Sequence, residues 1–366
     1  MIIPRYLTRE VTHSLFAVTL VLLLIFLSNQ LVRYLSYAAS GKIAAQILWQ
    51  LMGFEIPYLL ALLLPLGLYL GIILTYGRLY ADNELRIMRL YGLTLQQLIK
   101  ITGYLALPII LFILFLMLWV NPQIATQKQK AILNADNMLE TLIPGRFQIV
   151  NNGKRVIYFE RISHHRKVAN NLFIAEQRRN PNTEEPAWNI LSAAQGYQIK
   201  DRTTHDHFFV ATAGYRYEGI PGQNAYHIIQ FGKYAIRAQK VEMDSRHPEQ
   251  EGIPTLSLLH DYHDPLNAAE LQWRLSIPLS AFVLSLIAVA LSLIKPRQGR
   301  YAQLFPALLI YVVYVNLLFV ARTWVEQKTV SIGLGMWWTH GLFLGIALLL
   351  LFNQPLKLLF KPSRSV

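Results

Sequence analysis

Ile56-Pro-Tyr-Leu-Leu-Ala-Leu-Leu-Leu-Pro-Leu-Gly-Leu-Tyr-Leu-Gly-Ile-Ile-Leu-Thr-Tyr-Gly77 runs for 22 residues without an Asp, Glu, Lys or Arg. A helix of about 20 apolar residues crosses the ~30 Å hydrocarbon layer of a bilayer. Five further charge-free runs lie at 11–32, 101–127, 275–294, 301–321 and 329–356, with lengths of 22, 27, 20, 21 and 28 residues. Together they predict an α-helical membrane protein with six transmembrane helices. Composition agrees: only 15% of the 366 residues are charged, against roughly 25% in a soluble domain. A single water-soluble globule is excluded. The chain has no cysteine, which excludes a disulfide scaffold, Cys-ligated zinc, iron–sulfur clusters, a cysteine nucleophile and a lipidated N-terminal cysteine. The first run is longer than the roughly 7–15-residue core of a cleaved signal and lacks a small-residue cleavage pattern. It is read as the first span.

Positive charge gives the orientation. Of 34 Lys+Arg and 21 Asp+Glu, residues 121–270 hold 17 and 16, so the remainder carries +12 of the net +13. These basic residues sit in short loops beside apolar runs, not on one folded patch, so nucleic acid is not an expected partner. Arg5 and Arg9 precede the first span. Arg78, Arg86, Arg89 and Lys100 lie between the second and third. Lys295, Arg297 and Arg300 lie between the fourth and fifth, and Lys357, Lys361 and Arg364 follow the sixth. Short basic loops stay in the cytoplasm. Both termini are therefore expected there, with the segment between the third and fourth spans on the external side.

That external segment changes texture. Residues 123–142 are polar and helix-compatible, and Pro144-Gly145 ends them. Phe147–Val150 and Val156–Phe159 then flank Asn151-Asn152-Gly153, a hairpin signal. Leu172–Ile174, Trp188–Leu191, Tyr197–Ile199, His207–Ala211, Tyr215–Tyr217 and Tyr226–Ile229 follow as short strands between turn residues. This pattern suggests an all-β sandwich or barrel, with 244–256 as a return linker. The expected division is 1–122, 123–270 and 271–366.

Several motifs fail on inspection. Gly153-Lys154 invites a phosphate loop, but Gln148 stands where its first glycine belongs and Arg155 where Ser or Thr belongs. Eight of the ten histidines lie in 121–270. His205-x-His207 and His260-x-x-His263 are read as exposed polar residues, since no H-E-x-x-H is present. Ser163 next to His164 carries no catalytic meaning, because such pairs meet through the fold. The spans hold no mid-run acidic or basic residue, which argues against proton- or ion-coupled transport. Pro57, Pro65 and Gly67 are compatible with a kink in the second span, a routine irregularity in membrane bundles.

The loop 78–100 carries more. Asp82 or Asn83 can cap a short helix near 83–92 whose first turn holds Glu84. Gly92 suits its end, and Thr94-x-x-Gln97 reads as a capping box opening the third span. About eight residues are too few for a helix stable alone in water. One so rich in apolar side chains must dock, either on its own bundle or membrane surface or in a groove of a cytoplasmic partner. At the external ends of the spans stand Arg33, Lys42, Arg274, Arg322 and Lys328. They either snorkel to headgroups or form an anion-binding rim at the mouth of a lipid cavity.

The chain resembles the LptF/LptG permease family of the lipopolysaccharide export transporter. The opening Met1-Ile-Ile-Pro-Arg-Tyr-Leu-Thr-Arg-Glu10 resembles its LptF branch. Asp82-Asn-Glu84-Leu-Arg-Ile-Met88-Arg-Leu-Tyr-Gly92 resembles its coupling helix, with Ile87 and Leu90 at positions where that motif is Ala-rich. Gly214-Tyr-Arg-Tyr-Glu-Gly-Ile-Pro-Gly222 resembles a late stretch of its periplasmic domain. Glu270-Leu-Gln-Trp-Arg274 with Pro278 resembles the start of its fourth helix, and Lys295-Pro-Arg-x-Gly-Arg300 the loop after it.

The resemblance implies an inner-membrane protein with a periplasmic β-jellyroll between helices 3 and 4. It implies an LptG-like second permease, an LptB-like ATPase dimer and an LptC-like periplasmic protein as partners. Lipopolysaccharide is the expected cargo, pushed through the jellyroll by ATP-driven closure. No cofactor is expected in this chain; ATP and Mg belong to the ATPase. Glu84, Leu85, Met88, Arg89, Tyr91 and Gly92 are then expected to couple to the ATPase. Arg33, helped by Lys42, Arg274, Arg322 and Lys328, is expected to grip the lipid's anionic head. Two competitors are a membrane-anchored sensor with a ligand-binding β domain, which needs no coupling helix, and an intramembrane hydrolase, which lacks its catalytic set. A lipoprotein-releasing permease normally has four spans.

Overall fold

The computed structural model describes residues 2–39, 43, 45–135, 144–150, 155–163, 168–179, 186–200, 207–220, 226–237, 248–292 and 303–359. Two compact units divide the chain, one of Met1–Ser28, Phe54–Gln127 and His247–Val366, the other of Asn29–Gly53 and Lys128–Arg246.

Among the described residues five helices are long and apolar enough to cross a membrane. They are α1 (Ile2–Ala39), α2 (Leu48–Ala81), a rod beginning with α4 (Leu95–Phe115), α8 (Pro265–Ser292) and α9 (Leu304–Glu326). The rod continues through a π-helical turn, Leu116–Val120, into α5 (Asn121–Ala135). The sixth run forms α10 (Trp337–Leu359), whose described apolar part, Trp337–Phe352, is shorter. Between α2 and α4 sits α3 (Glu84–Leu90), and before α8 come α6 (Pro248–Glu251) and α7 (Thr255–His260). Helix α8 is buried along nearly all of Ala268–Ser292 and packs on α4, α9 and α10. In lipid an all-round apolar helix gains nothing by hiding from water, so its burial marks the bundle's packing centre.

Helix α1 meets α2 through glycine. A Cβ on Gly71 would stand 3.0 Å from the backbone N of Leu15, and one on Gly67 would stand 2.0 Å from Thr19 Oγ1. Two glycines four apart let membrane helices approach this closely. Pro57 and Pro65 lie within the continuous α2, and Gly67 serves packing.

The described strands of the β domain form one six-stranded antiparallel sheet in which neighbours in sequence are neighbours in space. Its strands are β1 (Gln148–Val150), β2 (Arg155–Ser163), β3 (Val168–Arg179), β4 (Pro186–Lys200), β5 (His207–Gly219) and β6 (Tyr226–Arg237). The expected first hairpin is present, with Val150 paired to Arg155; its turn, 151–154, lies outside the described residues. The turn spacing suggested a sandwich or barrel, whereas the described strands form a single meander.

Pairing lapses at one residue in each of β2 to β6. Those residues, Glu160, Asn171, Ala194, Ala213 and Gly232, stand opposite one another across the sheet. Asn171 and Ala213 both have φ 52°, the left-handed region that L-residues seldom enter. Along this line the two-residue alternation resets. Ile157 and Phe159 are buried before it in β2, and Ile162 packs on the same cluster after it. Ala169 is buried on one side in β3, Leu172 and Ile174 on the other. The sheet creases while keeping one apolar face.

The crease corrects the strand count. Trp188–Leu191 and Tyr197–Ile199 are parts of one strand, as are His207–Ala211 and Tyr215–Tyr217. Gly196 and Gly214, which look like breaks, lie inside strands at close approaches. A Cβ would stand 2.3 Å from the Phe209 ring at Gly196 and 2.3 Å from Ser192 O at Gly214.

Candidate functional site

Helix α3 is closed by its backbone at the C-terminal end and left uncapped at the other. Asn83 has φ 63° and its side chain does not cap the helix; instead its Oδ1 accepts from Arg86 Nη1 at 2.9 Å. The expected Asx cap is therefore absent, and Asp82 does not supply it. At the other end Gly92, at φ +100°, donates to Arg89 O at 3.2 Å while Leu93 N donates to Met88 O at 3.0 Å. This pair is a Schellman closure, for which glycine is preferred. The capping box is present: Gln97 N donates to Thr94 Oγ1 at 3.2 Å and Thr94 N to Gln97 Oε1 at 2.9 Å.

The helix divides its side chains between two faces. Leu85 is fully buried in the bundle core and Met88 packs against that core. Ile87, Leu90 and Tyr91 are exposed, the last two at 83% and 87%. Arg89 is half-buried, and Arg86 lies 5.2 Å over the Tyr80 ring. Leu85 and Met88 were expected on a docking face, but they anchor α3 to its own bundle. Positions three apart share a helix face, and the outward one is Ile87, Leu90 and Tyr91. Burying that face on a partner would return the free energy that so short a helix lacks alone.

Glu84 faces α1. Its Oε2 accepts from the Tyr6 hydroxyl at 2.9 Å. One turn along α1, Glu10 forms an ion pair with Arg78. A turn further, Thr75 Oγ1 donates to Ser14 Oγ at 2.8 Å. A cleft of about 350 Å³ lies beside them, lined by Glu10, His13, Ser14, Ala17, Leu74, Thr75 and Arg78.

Near the start of α8, the stretch Glu270–Arg274 is a polar hub. Arg274 is 2% exposed. Its Nε donates to Glu270 Oε1 at 2.9 Å, and its Nη1 to Ile253 O and Thr255 Oγ1, each at 3.0 Å. Its Nη2 donates to Gln250 O at 3.2 Å and Glu251 O at 3.0 Å. A guanidinium has five donors, and all are engaged. Arg322 Nη2 donates to Glu270 Oε2 at 3.0 Å and its Nε to Glu326 Oε1 at 2.8 Å. Its guanidinium lies 5.2 Å over the Trp273 ring.

Gln272 fastens a neighbouring turn. Its Nε2 donates to Tyr262 OH and Ile332 O, both at 2.7 Å, and its Oε1 accepts from Met336 N at 3.0 Å. The return segment is also tied to the α4–α5 rod, where Thr255 Oγ1 donates to Leu118 O at 2.6 Å and Thr126 Oγ1 to Gly252 O at 3.1 Å.

The five rim cations therefore part company. Arg274 and Arg322 stand together, but as internal clamps of Glu270, and Arg274 has no donor left for a phosphate. Arg33 is exposed and bonds to Gln30 Oε1. Lys328 is exposed just beyond α9, at φ 60°. Lys42 lies outside the described residues, as do Lys295, Arg297, Arg300, Lys361, Arg364, His164 and His205. Among the described residues no group of three His, Asp or Glu could hold a metal.

Sequence reasoning missed Tyr6, Glu10, Glu270 and Gln272. For Glu270 a signal existed, because Glu270 with Arg274 and Arg322 with Glu326 are both i,i+4 pairs.

The family model for the lipopolysaccharide export system permease LptF/LptG matches residues 5–353. The chain is 29% identical to lipopolysaccharide export system permease protein LptF of Escherichia coli strain K12 over 354 residues, covering 96% of this chain and 94% of that protein. The same figures hold for LptF of Shigella flexneri.

Proposed function

The chain belongs to the LptF/LptG family of lipopolysaccharide export system permeases, and from that premise we propose that it is one transmembrane subunit of an ATP-driven lipopolysaccharide exporter. The observation that carries the energetic part is α3. It is a seven-residue helix with its inner face anchored by Leu85 and its outer apolar face bare. An LptB-like ATPase dimer, holding ATP and Mg, is the proposed occupant of that face, with Glu84 and Arg89 at its margin. An LptG-like permease completes the bundle, and an LptC-like protein receives the lipid on the external side. Helices α1, α2, α4 and α8 to α10 form the inner-membrane part, with α3 on its cytoplasmic side and 123–270 as the external domain.

The β domain is proposed as a conduit. Its creased apolar face carries Ile157, Phe159, Leu172, Ile174, Leu191 and Phe209, side chains suited to acyl chains through apolar burial. Purification of the chain in mild detergent tests the assembly. Recovery of an ATPase and a second permease supports it; recovery of the chain alone, still folded, favours a sensor. Photo-crosslinkers at Phe159 or Phe209 should capture lipid only when ATP is supplied, and no capture at any inward position overturns the conduit.

Arg33 remains the proposed cation for the lipid's phosphates. A charge-assisted contact is worth about 1.5–3 kcal/mol, less where salt screens it. Arg33→Glu should therefore impair lipid-stimulated ATPase activity more than Arg33→Ala, because it adds repulsion to lost attraction. Wild-type activity of Arg33→Glu at low and moderate salt would leave Arg33 a headgroup snorkel.

A further inference from the structure

We infer that Tyr6 is a positioning residue for ATPase coupling: its hydroxyl latches the first turns of α1 to Glu84, so that α1 and α3 move together. The inference rests on the reading of α3 as the ATPase-docking helix. In its apolar window α1 is the least buried of the five spans, at 17%. Its contact with the rest of the bundle is concentrated on one face. Leu7, Val11 and Leu15 are buried there, and Leu15 and Thr19 lie against Gly71 and Gly67. Beside this stripe runs a polar ladder at every fourth residue of α1. Tyr6 donates to Glu84, Glu10 pairs with Arg78 and Ser14 accepts from Thr75. A helix places i, i+4 and i+8 in one row, so these three contacts act along a single line. The ladder bridges 78, 68 and 61 positions of sequence.

Its end rung is the one that reaches α3. The other two hold α1 to α2, which the glycine contact already does. Without the Tyr6 hydroxyl, Glu84 would lose this bond to α1, and the turn after α2 and core packing would remain. Glu84 offers two carboxylate oxygens, and Tyr6 uses Oε2. The other is left to accept from a donor on the docked ATPase. One carboxylate would then lie between a moving partner and α1, and the hydroxyl would fix its rotamer.

The test uses the full chain with its ATPase and second permease in lipopolysaccharide-containing vesicles. Tyr6→Phe deletes one oxygen and keeps the ring, so complex yield should stay at wild type. Lipid released per ATP hydrolysed should fall about three- to tenfold, the scale of one lost hydrogen bond. Glu84→Ala should lower the same ratio, and Tyr6→Phe added to it should do nothing more, because the partner is already gone. Since the chain has no cysteine, spin labels at Ile3→Cys and Arg86→Cys, the latter on α3 but off its docking face, report α1–α3 separation with cysteine-free partners. That separation should be unchanged by ATP in the wild type and should change with ATP in Tyr6→Phe. A wild-type ratio in Tyr6→Phe, alongside a defect in Glu84→Ala, overturns the latch and spares the docking reading. Wild-type behaviour of both variants overturns both.

Discussion

Arg274→Met is expected to remove most of the folded chain from the membrane. Methionine matches the reach of the side chain but has no donor. Glu270 would keep Arg322 and lose its closest partner, the carbonyls of Glu251 and Ile253 would lose the guanidinium, and that of Gln250 would keep only Ile253 N. Breaking a buried ion pair by removing one member costs about 3–5 kcal/mol, and a native domain is stable by only about 5–15 kcal/mol. Arg274→Lys should be nearly as harmful. A lysine brings three donors from one point and cannot span the carboxylate and the return segment together. The measurement is thermal unfolding in detergent, followed by size-exclusion recovery. An unchanged midpoint for Arg274→Met would mean that the hub is dispensable and would reopen Arg274 as a lipid contact.

Leu90→Asp combined with Tyr91→Asp is expected to abolish recovery of the ATPase while leaving the chain folded. Both side chains are exposed in the isolated chain, so the substitutions cost little there. In a docked complex they would place two carboxylates against an apolar groove without partners, a cost of several kcal/mol. Glu84→Lys should act more mildly on association and more strongly on coupling, because it turns the Tyr6 acceptor into a donor. Leu85→Asp serves as the contrast. It buries a charge in the bundle core and should reduce folded yield itself. Normal ATPase recovery with Leu90→Asp/Tyr91→Asp would remove α3 from the interface.

Much of this was legible in the chain. Absence of charge over 20 or more residues speaks directly of a bilayer, and five of the six runs form spanning-length helices among the described residues. The α3 boundaries followed from Gly92 and Thr94, whose backbone roles are local. Its faces were legible too. Leu85 and Met88 are three apart on one side, Ile87 and Leu90 three apart on the other, yet apolar character alone does not tell which side turns inward.

Other features were hidden for physical reasons. The pairing lapses at Ala194 in β4 and at Ala213 in β5 reset the alternation without ending either strand, so each of these strands reads as two. Arg274 and Arg322 sit beside charge-free runs just as snorkelling cations do. Only the fold brings Glu270 between them and the return segment beneath Arg274. The latch from Tyr6 to Glu84 spans 78 positions and leaves no periodic trace.

The most direct test of the central claim is ATP-dependent release of lipopolysaccharide from vesicles holding this chain, a second permease and the ATPase, with an acceptor β protein outside. Release should require ATP and all three components, and should vanish with Leu90→Asp/Tyr91→Asp while that variant still inserts and folds. Release that persists in this variant, or that proceeds without the ATPase, would contradict a permease driven through α3.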